Sequence, residues 1–424
     1  MFNNFMALRT AKHISISSER TQPIMLQLGF NDPQFEVWAQ RALMNIAEGG
    51  CELGEVLSQA PRIPAGNTNT WYREWCALAN RLYEQAGECR NKGHLISARQ
   101  LYQRAATYYR TSYPLLFGTP TDPRVLEAYR NEARAFHCAA QLFSPPIEAQ
   151  TIPFENTTLP GYFYSGGHGK RPLLICTNGY DDTLHTMHYA HAVAAQRRGY
   201  HVLTFDGPGQ GAPLIEHSLT LRPDWENVVG AVLDHILARP DINPNKVALA
   251  GWSFGGFLAP RAAAGEPRIK ALIADPGQWD MLAAIAGMLK RMGAEDLVAA
   301  LPNLPEEANA PIMQAVEHNP ALKWTLVQRG FWVHGVNSFT EYVKALAEFT
   351  VSDRVHQIQC PVFITQAEND PIAGAADVLF NAIEAPKTSR RFAAQEGAGD
   401  HCEAMARSVY HQHAYDWLDT VFKN

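Results

Sequence analysis

Between residues 173 and 274 the chain alternates short apolar runs with amphipathic stretches, and this alternation constrains the fold more than any other feature. The runs 173–177, 200–205, 246–250 and 269–274 are apolar along almost their whole length, as strands covered on both faces must be. Between them, 184–198, 225–238 and 255–264 space their apolar residues three and four apart. Buried strands separated by amphipathic helices predict an α/β fold with a mostly parallel, doubly wound sheet. A short hairpin over 151–154 and 161–164 opens the pattern, strands return at 361–366 and 391–394, and a helix over 402–422 closes it.

Both flanks of the alternation read as helical. Segments 35–47, 71–87, 96–110 and 125–142 have helical spacing broken by Gly, Pro and Asn, which predicts a helical N-terminal domain over 31–148. Within it, residues 82–102 have the small and aromatic spacing of a tetratricopeptide hairpin, but a stable array needs about three copies, so two packed helices are expected. Residues 281–350 are helical again and predict a lid insertion, which leaves 149–280 and 351–424 for the sheet-bearing unit. The two helical parts together would roof the carboxyl edge of the strands, where ligands bind in open α/β sheets. Trp324, Phe331, Trp332 and Phe339 fit either the core of the insertion or the lining of an apolar pocket. Residues 1–30 show no period and suggest a tail, or an arm packed on another subunit.

Charge and cysteines exclude whole classes of partner. With 36 basic against 42 acidic residues and no cluster of Lys or Arg, nothing is suited to neutralising phosphates, so no nucleic acid partner is expected. The cysteines Cys51, Cys76, Cys89, Cys138, Cys176, Cys360 and Cys402 are odd in number and widely spaced, and read as buried thiols in a reducing compartment. Residues 1–20 lack the apolar stretch of a signal peptide, and no segment offers about 18 apolar residues in a row. A cytoplasmic protein with no membrane partner is expected. His411 and His413 lack a companion Cys or carboxylate motif, so neither metal nor cofactor is expected.

The chemistry is carried by three loops. Gly251-Trp252-Ser253-Phe254-Gly255 follows the run 246–250 and opens the helix at Gly255, the setting of a nucleophile elbow. A serine hydroxyl needs an imidazole to take its proton, and the imidazole needs a carboxylate to fix its tautomer. Asp370 in Glu368-Asn369-Asp370-Pro371 and His401 in Gly397-Ala398-Gly399-Asp400-His401 each follow a strand, in the chain order Ser, acid, His. Asp353 and Asp377 follow none. An oxyanion hole needs two backbone N–H groups. One is expected from Phe254 and the other from the loop Asn178-Gly179-Tyr180-Asp181-Asp182, either the Tyr180 amide or that of Gly179. Asp206-Gly207-Pro208-Gly209-Gln210-Gly211 lacks the residues of a phosphate loop and reads as a tight turn beside the site.

Taken together, the elbow, the Asp-Gly-Pro-Gly-Gln-Gly turn, the Glu-Asn-Asp-Pro turn and Gly-Ala-Gly-Asp-His-Cys-Glu resemble one branch of the α/β-hydrolase superfamily. That branch holds 2,6-dihydropseudooxynicotine hydrolase, fungal heptaketide pigment hydrolases and fermentation-respiration switch proteins. The resemblance covers residues from about 150 onward, and more loosely the helical N-terminal part. It implies an α/β-hydrolase fold with a helical N-terminal domain and a Ser253–Asp370–His401 triad. It also implies hydrolysis of a carbon–carbon bond beside a carbonyl, a small-molecule substrate such as a β-diketone or polyketide, and a homodimer. An assisting acid is implied after the strand that follows the elbow, either Asp280 or Asp275. His185 and His188 depart from the branch, whose members carry acidic residues after the oxyanion loop. A carboxylesterase or acyl-peptidase with the same triad, a non-hydrolytic cyclase or lyase, and a binding protein with an idle triad are the other readings.

Overall fold

In the computed structural model, which describes residues 27–423, eight strands form one sheet. They are β1 (Glu148–Phe154), β2 (Thr157–Tyr164), β3 (Arg171–Thr177), β4 (His201–Phe205), β5 (Ile242–Trp252), β6 (Ala271–Asp275), β7 (Val362–Ala367) and β8 (Lys387–Phe392). Their spatial order is β1-β2-β4-β3-β5-β6-β7-β8. The hairpin β1–β2 joins β4 antiparallel, and every later pairing is parallel. Strands β4 and β6 are buried at every position, which is why they read as largely apolar runs.

Strands β2 and β5 begin four residues before the expected 161 and 246, and three further departures have a local reason. Strand β8 begins four residues earlier than residue 391 and ends at Phe392. It is the edge strand, and its sequence Lys-Thr-Ser-Arg-Arg-Phe buries only Phe392, so no apolar run marks it. The last helix starts at Arg407 and not at Cys402, because Cys402 and Glu403 take left-handed backbone at φ 54° and 49°. The helix expected over 184–198 contains a π-helical turn at His188–Ala192.

Helices Pro33–Leu43, Thr68–Asn91, Leu95–Ser112 and Pro123–Ala140 precede the sheet. Asp32, Asn67 and Asp122 cap three of them by accepting backbone amides of the first turn. Thr68–Asn91 and Leu95–Ser112 form one helical hairpin around Trp71, Trp75, Tyr108 and Tyr109, all fully buried. Phe30 stands 5.5 Å from the Trp71 ring, so part of the segment expected as a tail is packed; residues 1–26 of that segment lie outside the described residues.

Helices Leu282–Arg291, Asn309–Glu317 and Phe339–Ala347 lie between β6 and β7 and bury a core of their own around Leu289, Val316, Phe339 and Val343. The four aromatic residues are packing groups. Phe331 and Phe339 belong to that core, and Trp324 and Trp332 donate their indole N–H to the Pro114 carbonyl at 2.9 Å and the Thr121 hydroxyl at 3.0 Å. All seven cysteines are free thiols, and among the described residues no helix is long and apolar enough to cross a membrane.

Candidate active site

Ser253 sits at φ 57° between β5 and the helix Gly255–Gly265. A side chain there pays for left-handed backbone, and the surrounding packing enforces it. A Cβ on Gly251 would stand 1.9 Å from the Gly255 carbonyl oxygen, and one on Gly255 would stand 2.6 Å from that of Thr177. Both glycines are therefore required by close backbone approach. The Ser253 amide donates to the Asp275 carbonyl at 2.7 Å, and the Gln278 side chain donates to the Ser253 carbonyl at 2.6 Å.

The three expected residues converge. His401 Nε2 lies 2.8 Å from Ser253 Oγ, and His401 Nδ1 lies 2.8 Å from Asp370 Oδ2. The Asp370 side chain has no exposed surface, while the imidazole is 33% open toward solvent. Asp370 Oδ1 accepts the Ile372 amide at 3.0 Å, which fixes the carboxylate plane. The acid and histidine loops are tied together, since the Asn369 amide donates to the Gly399 carbonyl at 2.8 Å and the Ala394 amide to Glu368 Oε2 at 2.8 Å.

On the other side of Ser253 stands the loop after β3. A Cβ on Gly179 would be 2.9 Å from Ser253 Cβ and 3.3 Å from Ser253 Oγ, so glycine keeps the space beside the hydroxyl open. Neither the Phe254 amide nor the Tyr180 amide donates to another group among the described residues. The Tyr180 ring meets Phe254 edge-on at 5.3 Å and its hydroxyl reaches Tyr342 at 3.3 Å.

The glycine-rich turn does more than reverse the chain. Gln210 Nε2 donates to the carbonyls of Asn178 at 2.9 Å and Gly179 at 3.0 Å, while its Oε1 accepts the Gly207 amide at 2.9 Å. Asp206 Oδ1 accepts from the Asn178 side chain at 2.6 Å and the Leu184 amide at 2.7 Å. Burial pushes the Asp206 carboxyl up to about 7, against the pull of His185, Asn178 and the Leu184 amide. Sequence reading saw only the turn glycines here; the buried Gln in Gly-Pro-Gly-Gln-Gly was the signal for a support of the neighbouring loop.

The two acid candidates, one at the end of β6 and one after it, are engaged elsewhere. Asp275 is fully buried, paired with Arg407 at 2.8 Å and accepting the Thr365 hydroxyl at 2.8 Å. Asp280 accepts the Ala283 amide at 2.8 Å at the start of a helix and is not among the residues lining the cavity. His185 pairs with the buried Glu132 at 2.8 Å, and His188 contacts Gln103 at 3.3 Å and Tyr164 at 3.3 Å, so both histidines join the helical part to the sheet. His411 Nε2 lies 2.7 Å from the Ala190 carbonyl, and among the described residues no cluster of three His, Cys, Asp or Glu is placed to hold a metal.

A cavity of about 450 Å³ contains Ser253, His401 and Gly179. Its opposite wall comes from Pro33–Leu43 and Leu95–Ser112, through Trp38, Arg41 and Arg110 among others.

Known proteins are similar to this chain in sequence and fold. The alpha/beta hydrolase family matches residues 174–414. The hydrolase acrC of Aspergillus aculeatus is 32% identical over 427 residues, covering 90% of this chain and 95% of that protein. The 20-hydroxy-prefusarin hydrolase FUS2 of Gibberella moniliformis is 32% identical over 410 residues, covering 90% and 95%. Among solved structures, 2,6-dihydroxy-pseudo-oxynicotine hydrolase has the same fold, with a TM-score of 0.71 at 24% identity over 91% of this chain and 95% of that one. The resemblance read from the motifs is met, and the chain is a hydrolase that belongs to the alpha/beta hydrolase family.

Proposed function

We propose that the chain is a serine-nucleophile hydrolase of carbonyl compounds, acting by acyl transfer to water on a carbon–carbon bond of a β-diketone or polyketide-like substrate. The observation that carries the serine reading is the chain of contacts Ser253 Oγ, His401 imidazole, Asp370 carboxylate, each at 2.8 Å. Ser253 Oγ attacks the carbonyl carbon while His401 Nε2 takes its proton. Buried Asp370 stabilises the resulting imidazolium and holds its tautomer. The Phe254 and Tyr180 amides, free of internal acceptors, suit the developing oxyanion.

Collapse of the tetrahedral intermediate breaks the carbon–carbon bond, and its electron pair leaves as an enolate that takes the proton from His401. Water, deprotonated by His401, then releases Ser253 from the acyl group as a carboxylic acid. The products are one ketone and one acid. Carbon–carbon chemistry is what the motif resemblance implies, and a cavity built partly from the N-terminal helices, which we read as a cap, is compatible with it. The expected homodimer belongs to the same proposal.

The test is product analysis. Purified enzyme is given a panel of β-diketones and aryl esters, and products are followed by mass spectrometry. Ketone and acid formed in equal amounts from a diketone support this reading. Turnover of esters alone would assign an esterase.

A further inference from the structure

Three arginines from three separate segments meet at the oxyanion loop: Arg41 of Pro33–Leu43, Arg110 of Leu95–Ser112 and Arg329 of the turn Trp324–Phe331. All three line the cavity that holds Ser253 and His401. They face Asp181 and Asp182, and Arg110 also stands near the buried Glu132. Arg329 Nη2 donates to Asp181 Oδ1 at 3.0 Å. Arg110 Nη2 donates to the Asp181 carbonyl, and Arg110 Nε stands 3.5 Å from Asp182 Oδ1. That Asp182 oxygen is already occupied by the Thr186 hydroxyl at 2.6 Å and the Thr183 amide at 2.9 Å.

Arg41 is left with the smallest share. Its nearest carboxylate oxygen, Asp181 Oδ2, is 3.9 Å away, and 46% of its side chain remains open. Its guanidinium makes no hydrogen bond to any described side chain or carbonyl and rests on the Trp38 ring at 4.0 Å. Asp181 attracts its charge, whereas Arg329 and Arg110 repel it. Asp400, the remaining carboxylate of the lining, is exposed on the His401 loop and pairs with none of the three. Of the three guanidiniums, Arg41 is thus the one that holds no carboxylate by a hydrogen bond and stays open.

We propose that the enzyme takes an anionic substrate, an acyl compound bearing a carboxylate, and that Arg41 receives the carboxylate while Ser253 attacks the carbonyl. The guanidinium fork fits two coplanar oxygens. Trp38 holds the fork from one side, which limits the entropy lost on binding. The carbon chain of such a substrate has walls to meet, since Val37, Ile372 and Met405 are 47%, 40% and 43% exposed and line the same cavity. Val37 lies one helical turn before Arg41 on the same helix.

This inference rests on the serine-hydrolase reading, and the experiment separates the two. Full-length wild type, Arg41→Gln, Arg41→Lys and Ser253→Ala are assayed with mono-4-nitrophenyl glutarate and adipate and with the neutral 4-nitrophenyl valerate and caproate. Charge-assisted contacts of this kind correspond to a factor of about 10 to 100. The wild type is expected to favour the anionic esters in kcat/KM by about that factor. Arg41→Gln should lose the preference through KM, and Arg41→Lys should keep part of it. A wild type with no preference, or an Arg41→Gln that keeps it, overturns the proposal. Independently, binding of glutarate monohexyl ester to Ser253→Ala is measured by calorimetry, and Arg41→Gln introduced into that background should weaken it about tenfold or more. Unchanged binding also overturns the proposal. If Ser253→Ala still turns over esters, the serine reading falls alone, because the charge preference and the binding are read without it.

Discussion

Gly179 and Ser253 approach so closely that a single methyl group on the glycine would stand 2.9 Å from the serine Cβ. Contact at that distance forces one of the two to move. Gly179→Ala is therefore expected to cost about 10²- to 10³-fold in kcat, the range seen when an oxyanion donor is lost, with the fold retained. The rate of fluorophosphonate labelling checks it, alongside a urea midpoint within error of wild type.

Gln210 holds that same loop from below, donating to the carbonyls of Asn178 and Gly179. Gln210→Ala leaves two buried carbonyls and the Gly207 amide without partners, and a stability loss of about 1–3 kcal/mol is expected. Displacement of the loop should also lower kcat by about 10²-fold with KM little changed. A change confined to KM would assign Gln210 to the pocket wall instead.

Asp206 makes stability depend on pH. Its folded carboxyl titrates at about 7, against an ordinary value of 3.8, because burial disfavours the charge. Between those two values the folded state keeps a proton that the unfolded chain has released. This group's contribution is thus fully present below about pH 4 and declines as pH rises toward 7, by a few kcal/mol in all. Asp206→Asn retains an oxygen for Asn178 and Leu184 and has no charge to bury. Urea midpoints at pH 5 and pH 8 are expected to differ less in the variant than in wild type.

Arg407 and Asp275 form a buried ion pair at 2.8 Å beneath the elbow, and Arg407 also donates to the Cys402 carbonyl at 2.7 Å. Arg407→Ala leaves Asp275 charged, buried and unpaired. The expected cost is about 3–5 kcal/mol, measured by urea unfolding. Loss of under 1 kcal/mol would mean that the pair contributes nothing net.

How much of this was legible in the sequence follows from where the information resides. Strands buried on both faces, such as β4 and β6, declare themselves as apolar runs, and Ser253, Asp370 and His401, which the structure brings together, could be singled out because each follows a strand in a loop of distinctive composition. Only the end of strand β8 declared itself, since an edge strand exposes polar side chains. The left-handed Cys402 and Glu403 were invisible too, because neither residue type marks that conformation. The arginine cluster was beyond reach for a different reason. Arg41, Arg110 and Arg329 come from segments far apart in the chain, and only tertiary packing brings them to Asp181 and Asp182.

The central claim is that Ser253 is an activated nucleophile. The most direct measurement is intact-protein and peptide mass spectrometry after incubation with a fluorophosphonate, on wild type, Ser253→Ala and His401→Ala. The account predicts a single adduct on the peptide carrying Ser253 in wild type, none in Ser253→Ala, and labelling slowed by several orders of magnitude in His401→Ala. An unlabelled wild type, or an adduct that persists in Ser253→Ala, would contradict it.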